Sequence, residues 1–147
     1  MRYRIAAVGR RARDPLIEAA DGYLKRLNRY VSSELLLIRD SDRASEAKAL
    51  LAKTKDSDLV VALDEHGTEL DTEAWAHSLS TWQDQGPERV VFLLGGADGH
   101  HDTVRERANT LWSLSRLTLP HRLAWVVLLE QLYRAHTVLR GEKYHRV

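Results

Sequence analysis

The chain has 147 residues, 44% of them hydrophobic and 29% charged, with no cysteine and a formal net charge of +1. That length and mix are expected to form one domain spanning 1–147 with a core of its own, and they exclude a disordered or low-complexity chain. The missing cysteines exclude a disulfide scaffold, a thiolate zinc site and a cysteine nucleophile.

In chain order, residues 3–9 (YRIAAVG) are predicted to form a first strand. Asp14-Pro15 starts a helix, because Asp caps and Pro suits the first helical position; Leu16, Ala20, Tyr23, Leu27 and Tyr30 then recur at helical spacing. Residues 34–39 read as a second strand, 45–55 as a helix carrying Ala47, Leu50 and Leu51, and 58–63 as a third strand. Asp71 caps a helix with Trp75, Leu79 and Trp82 on one face, and 89–94 (RVVFLL) is a fourth strand, apolar on both faces. A short helix over about 102–109, an irregular stretch over 111–120 and a long helix over 121–140 complete the chain. Strands alternating with helices imply an α/β fold with a parallel sheet covered on both faces. In such sheets ligands bind beyond the carboxyl ends of the strands, which directs attention to 63–67 and 95–99.

Charge is spread unevenly. Residues 1–50 hold 11 basic and 7 acidic side chains, 51–110 hold 5 and 12, and 111–147 hold 6 and 2. Basic ends that converge in space would suit a nucleic acid. The longest apolar run, Leu123 to Leu129, is seven residues, too short to span a bilayer, and Met1-Arg2-Tyr3-Arg4 leads into a strand without a secretory signal, so a cytoplasmic protein without membrane contact is expected. The last helix is apolar on more than one face, through Leu123, Val126, Val127, Leu132, Tyr133 and Leu139 among others. One stripe would serve a single sheet, so the second points to another copy of the chain.

Three segments carry candidate chemistry. Gly95-Gly96-Ala97-Asp98-Gly99 is either a tight turn or a place where backbone approaches a ligand. The alternating Ser113-Leu114-Ser115-Arg116-Leu117-Thr118-Leu119-Pro120 reads as a half-buried edge strand or as a loop offering backbone groups and leucines to a flat ligand such as adenine. The tail Tyr144-His145-Arg146, beyond Gly141 as a helix cap, combines groups that stack on a base and hold phosphate, or is a frayed end. His100, His101 and His121 lack metal-ligand spacing and are read as solvated or locally bonded, so no metal is expected.

Taken together and in this order, Leu93-Leu94-Gly95-Gly96-x-x-Gly99, Trp112-Ser113-Leu114-Ser115-x-Leu117-Thr118-Leu119-Pro120-His121, Glu130-Gln131-Leu132-Tyr133-Arg134-Ala135 and Tyr144-His145-Arg146 resemble the ribosomal RNA large-subunit methyltransferase H family of the SPOUT superfamily. Ala7-Val8-Gly9 and Leu63-Asp64 fit it too, so the resemblance spans the chain. It implies a parallel-sheet SPOUT fold with a C-terminal deep trefoil knot, a homodimer, and methyl transfer from S-adenosyl-L-methionine to N3 of a pseudouridine in large-subunit (23S) rRNA on the assembled ribosome. It places cofactor contacts on Leu63, Gly95, Leu114, Ser115, Arg116, Leu117, Thr118 and Leu119. In the tail, His145 is the candidate for proton handling, Arg134 and Arg146 for holding phosphate or a developing anion, and Tyr144 for stacking on the base; one chain's tail could complete its partner's site. The chain departs from the family pattern at Ala97-Asp98, where Pro-Glu is common, at Glu65-His66-Gly67, and at the terminal Val147, where an acidic residue is usual. Two other readings remain: a catalytically inactive RNA-binding dimer, and a dinucleotide-binding oxidoreductase, against which stands the single glycine of Gly9-Arg10-Arg11-Ala12-Arg13.

Overall fold

Five strands and five helices alternate through residues 1–146, the part of the chain that the computed structural model describes; Val147 lies outside the described residues. The order is β1 (Arg2–Val8), α1 (Pro15–Leu27), β2 (Ser33–Ile38), α2 (Arg43–Leu51), β3 (Leu59–Glu69), α3 (Thr72–Gln85), β4 (Arg89–Leu94), α4 (Asp102–Arg107), β5 (Thr110–Ser113) and α5 (His121–Leu139). The strands form one sheet in the order β2-β1-β4-β3-β5, with every neighbouring pair parallel. Among the described residues no helix is long and apolar enough to cross a membrane.

Alternation along the strands sorts side chains to two faces. Tyr3, Ile5, Ala7, Val61, Leu63, Phe92 and Leu94 pack beneath α1, α3 and α5, which contribute Ile17, Trp75, Leu79, Trp125, Leu128 and Leu132. Ala6, Val8, Val60, Ala62, Val91 and Leu93 face α2 and α4 through Ala47, Leu50 and Val104. Strand β4 lies between β1 and β3 and is buried throughout, as its apolar run predicts. Its one charge, Arg89, is paired bidentately with Asp58. The expected caps form: Asp14 accepts from Leu16 N–H and Asp71 from Ala74 N–H. Gly141 follows the end of α5 with φ +68°.

Two elements differ from the sequence reading. Strand β3 does not end at Leu63 but continues to Glu69, and the stretch after 109 opens with a fifth strand. Each explains the other. Leu63 and Thr68 both register against Trp112, so Asp64-Glu65-His66-Gly67 bulge out between them. Polar residues there gave no strand signal, because their partner is β5 and the pairing is non-local. Trp112 is anchored from the helix layer, its ring centroid 4.6 Å from Trp75 and 5.2 Å from Trp82. Asn109 starts β5 by exchanging hydrogen bonds with the backbone of Val60. The short helix ends at Arg107, and α2 begins two residues early, at Arg43, because Asp42 caps it.

Candidate cofactor cleft and C-terminal tail

The β3–β4 ladder ends with Leu63, the last β3 residue before the bulge, opposite Leu94 at the carboxyl end of β4. The chain leaving β5 comes back across them before entering α5. Between these pieces is a cleft of about 680 Å³. Leu63, Gly95, Leu114, Ser115, Leu117, Thr118 and Leu119 all line it, so seven of the eight residues expected to hold the cofactor converge there. Arg116 is the exception. Its guanidinium turns to the backbone carbonyl of Glu65 and to the Glu69 carboxylate 2.9 Å away, tying the 114–120 loop to the β3 bulge. Ser115 also serves the loop, its Oγ accepting from Leu117 N–H. Leu117 is 74% exposed at the loop's tip.

The glycines of the wall let the 95–100 turn pack closely on the chain itself. A Cβ on Gly96 would meet Val8 Cγ1 at 3.1 Å and the Glu46 carboxylate at 3.3 Å, and one on Gly95 would meet the Gly99 backbone at 3.1 Å. The opposite wall is polar. Asp64, nearly buried, accepts from His66 N–H and from Arg105 Nε, each at 2.8 Å. Burial alone would raise its carboxyl, but these hydrogen bonds and the Arg105 charge outweigh it and hold it below the usual carboxylate range. His100 is buried with its Nε2 3.2 Å from Leu93 O, and burial lowers its affinity for a proton. His101 caps α4, its Nδ1 accepting from Thr103 N–H. Among the described residues no group of three or more His, Cys, Asp or Glu is placed to hold a metal ion.

The four tail candidates lie elsewhere, and three of them, Arg134, Tyr144 and His145, gather around Glu130. Arg134 Nε donates to both oxygens of Glu130, its guanidinium lies 4.7 Å from the Tyr144 ring centroid, and Nη1 is 3.2 Å from His145 Nδ1. Tyr144 donates to Glu130 and packs edge-on against Tyr133 at 4.8 Å. Burial, reinforced by Glu130, pushes its phenol up to about 12, so it is a neutral donor at neutral pH. Arg146 is exposed. This cluster rests on the second half of α5, whereas the cleft meets that helix at His121 and Ala124. From His121 to Glu130 is about 14 Å along the axis, and none of the four residues lines the cleft of its own chain.

A family model described as "Predicted SPOUT methyltransferase" matches residues 1–145. The chain belongs to the SPOUT methyltransferase family. It is 46% identical over 144 residues to a protein of Sorangium cellulosum named ribosomal RNA large subunit methyltransferase H, covering 98% of this chain and 99% of that one. A protein of the same name from Paramagnetospirillum magneticum is 44% identical over 151 residues, covering 99% of each. Among solved structures, a probable methylase family protein from Haemophilus influenzae superposes with a TM-score of 0.61 at 13% identity, covering 99% of this chain and 70% of that one; it shares the fold.

Seen within the SPOUT fold, the residue that sequence reasoning missed is Arg105, which joins Asp64, Glu65 and His66 in the polar wall. The signal was present in Asp64, a carboxylate placed directly after five apolar strand residues. Such a group is seldom buried without a partner, and a cation was therefore to be sought nearby.

Proposed function

We propose that this protein transfers a methyl group from S-adenosylmethionine to N3 of a pseudouridine in large-subunit ribosomal RNA, as a cytoplasmic homodimer acting on the assembled ribosome. The observation that carries the reading is the cleft at the end of the β3–β4 ladder, lined by Leu63, Gly95 and the 114–119 loop in a SPOUT chain. Full-length relatives named for large-subunit rRNA methylation supply the substrate class. The reading treats 1–147 as one domain and includes the deep trefoil knot that membership of the SPOUT family implies.

The cleft fits the donor. Leucines on two sides suit a flat purine, and the volume lies within the usual range for small-molecule sites. When bound, the donor supplies an already activated methyl group, which leaves positioning and exclusion of water to the chain. Leu117, exposed at the loop tip, is placed to close over it.

The acceptor nitrogen must lose its proton, and we assign its handling to His145. Arg134 donates to Nδ1, which puts the ring proton on Nε2 and makes that edge a donor toward an imide oxygen; taking the imide proton requires the ring to leave that contact. Arg134 and Arg146 supply positive charge for phosphate or the imide anion, and Tyr144 a neutral face and hydroxyl for the base.

Dimerisation would bring these groups to the cleft. Leu123, Val127, Glu130 and Arg134 follow one stripe of α5, and the half-buried Leu123 and Val127 stand outside the core cluster. Two copies pairing this stripe antiparallel would set the tail of one beside the α5 start, and hence the cleft, of the other.

The test is transfer of labelled methyl from S-adenosylmethionine to assembled ribosomes lacking the modification, with naked rRNA in parallel. Label on a pseudouridine N3 in the ribosome sample is expected. Stoichiometric RNA binding indifferent to the cofactor, without label, would instead indicate an inactive RNA-binding dimer. His145→Ala is expected to cut turnover far more than cofactor binding, and unchanged turnover would remove it from the mechanism.

A further inference from the structure

A second cleft, of about 1100 Å³, opens at the carboxyl ends of β1 and β2. It shares Pro120 and His121 with the first, so only the start of α5 divides them. Its floor is apolar, from Leu16 and the half-buried Leu35 and Leu37, which share one face of β2 while Leu36 lines the cleft from the other; its rim carries Arg10, Arg11, Arg39 and Arg122. Two of these cations are committed: Arg122 to Asp14 at 2.7 Å and Arg11 to Asp21 at 2.8 Å. Arg10 and Arg39, and Arg13 beside them, are exposed and make no ion pair or side-chain hydrogen bond among the described residues. The nearby acids are largely spent: Asp14 and Asp21 on those arginines and Asp42 on the α2 cap, leaving Asp40. The first cleft has the opposite character. Asp64, Glu65 and Asp98 line it with one arginine, Arg105, which is itself held by Asp64 and Asp102.

We infer that the β1–β2 cleft is the track for the RNA strand: Arg10 and Arg39 hold phosphates flanking the target nucleotide, and the leucine floor seats an unstacked neighbouring base. The inference rests on the function proposed above and adds where its substrate lies. An acidic protein partner would also meet the arginines. The apolar floor within the rim favours RNA, because unpaired bases offer flat apolar faces at every phosphate step. Position favours it as well, since a base entering the methyl-donor cleft must drag its own backbone across the adjoining rim.

The test measures binding of a labelled single-stranded RNA, and of large ribosomal subunits lacking the modification, as salt is varied. The double variant Arg10→Glu/Arg39→Glu is compared with Lys25→Glu/Lys48→Glu, an equal charge change at exposed positions lining neither cleft. The rim variant is expected to bind RNA at least about tenfold more weakly near 0.1 M salt, with the slope of log K against log salt reduced by about 1.4, or 0.7 for each lost single-strand phosphate. Calorimetric binding of S-adenosylhomocysteine, unchanged in both variants, shows that the fold and first cleft persist. Equal losses in the two variants, no loss in the rim variant, or no salt-dependent RNA binding by the wild type would each overturn the inference. Methyl transfer separates it from the parent reading. Transfer by the wild type with an unaltered KM in the rim variant overturns this inference alone; arginine-dependent binding without transfer overturns the parent reading alone.

Discussion

Replacing Gly67 with alanine tests whether the β3 bulge positions the cofactor loop. Gly67 is buried, and a Cβ built on it would lie 2.8 Å from both C and O of Leu111 and 2.9 Å from C of Trp112. Ordinary contact begins near 3.4 Å, so β5 must retreat by about 0.6 Å. The obstructing atoms are backbone, in a strand held by the β3 ladder on one side and by the packing of Trp112 against Trp75 and Trp82 on the other. Gly67 has no positive φ, so the effect is steric. An alanine that fitted would stabilise the fold by about 0.4–1 kcal/mol through the unfolded chain. Overpacking of this kind costs about 1–3 kcal/mol, so a net loss of about 1–2 kcal/mol is expected, a fall in Tm of roughly 3–8 °C for a chain of this size. Because β5 carries the 114–120 loop, S-adenosylhomocysteine should also bind more weakly in calorimetry. A Tm equal to or above the wild type with unchanged affinity would refute the reasoning.

Two further perturbations address the scaffold. The Tyr3 hydroxyl lies 2.7 Å from His136 Nε2, and burial, with Arg140 second, pushes that imidazole down to about 4 from its ordinary 6.5. The unfolded chain therefore binds the extra proton first: this contribution is complete above pH 6.5 and is lost as the pH falls from 6.5 through 4, to a total of up to about 3 kcal/mol. Urea melts at pH 7.5, 5.5 and 4.5 should show the wild type losing this increment relative to His136→Phe, and a difference that stays flat with pH would exclude it. At the amino end of the neighbouring strand β4, Arg89→Met leaves the Asp58 carboxylate buried without its guanidinium, only 4% of that side chain being exposed, and should cost about 3–5 kcal/mol. Adding Asp58→Asn should recover much of the loss in denaturant melts, since the amide oxygen still accepts from Lys55 N–H; simple additivity would argue against a coupled pair.

How much of this was legible in the sequence depended on whether the deciding partner was local. The caps at Asp14 and Asp71 and the fully buried run of β4 are set by neighbours a few residues away, and each formed as expected. The strand-end part of the cleft was legible for a different reason: parallel sheets gather ligands at strand ends; the positions over 114–119 came from the family resemblance, because their alternation alone reads equally as an edge strand. The extension of β3 was not legible, because Asp64 to Glu69 become strand only against β5, more than 40 residues later. Arg116 had been grouped with its loop, but its charge is drawn out of the cleft by Glu65 and Glu69, which only the bulge brings near. The tail was legible as chemistry and not as position: Arg134, Tyr144 and His145 do meet, around Glu130.

The net charge of +1 turned out to be the least informative number, and the sheet order explains why. Residues 1–50 supply β1 and β2, whereas 51–113 supply β3, β4 and β5, and the order β2-β1-β4-β3-β5 keeps these two sets in separate halves of the sheet. An excess of four basic charges in the first set and of seven acidic ones over 51–110 therefore becomes a gradient along one edge, with arginines around the β1–β2 cleft and Asp64, Glu65 and Asp98 around the β3–β4 cleft. The two ligands of the proposed reaction differ in the same sense. The methyl donor carries a sulfonium and an ammonium against one carboxylate and is a net cation; the acceptor is a polyanion. A uniformly basic surface would bind RNA more tightly but would disfavour the donor and let phosphate compete for its cleft. Separating the charges across Pro120 and His121 admits both, and it makes the two binding steps respond differently to salt: RNA binding should weaken steeply, and donor binding, with few charges displaced, should hardly change.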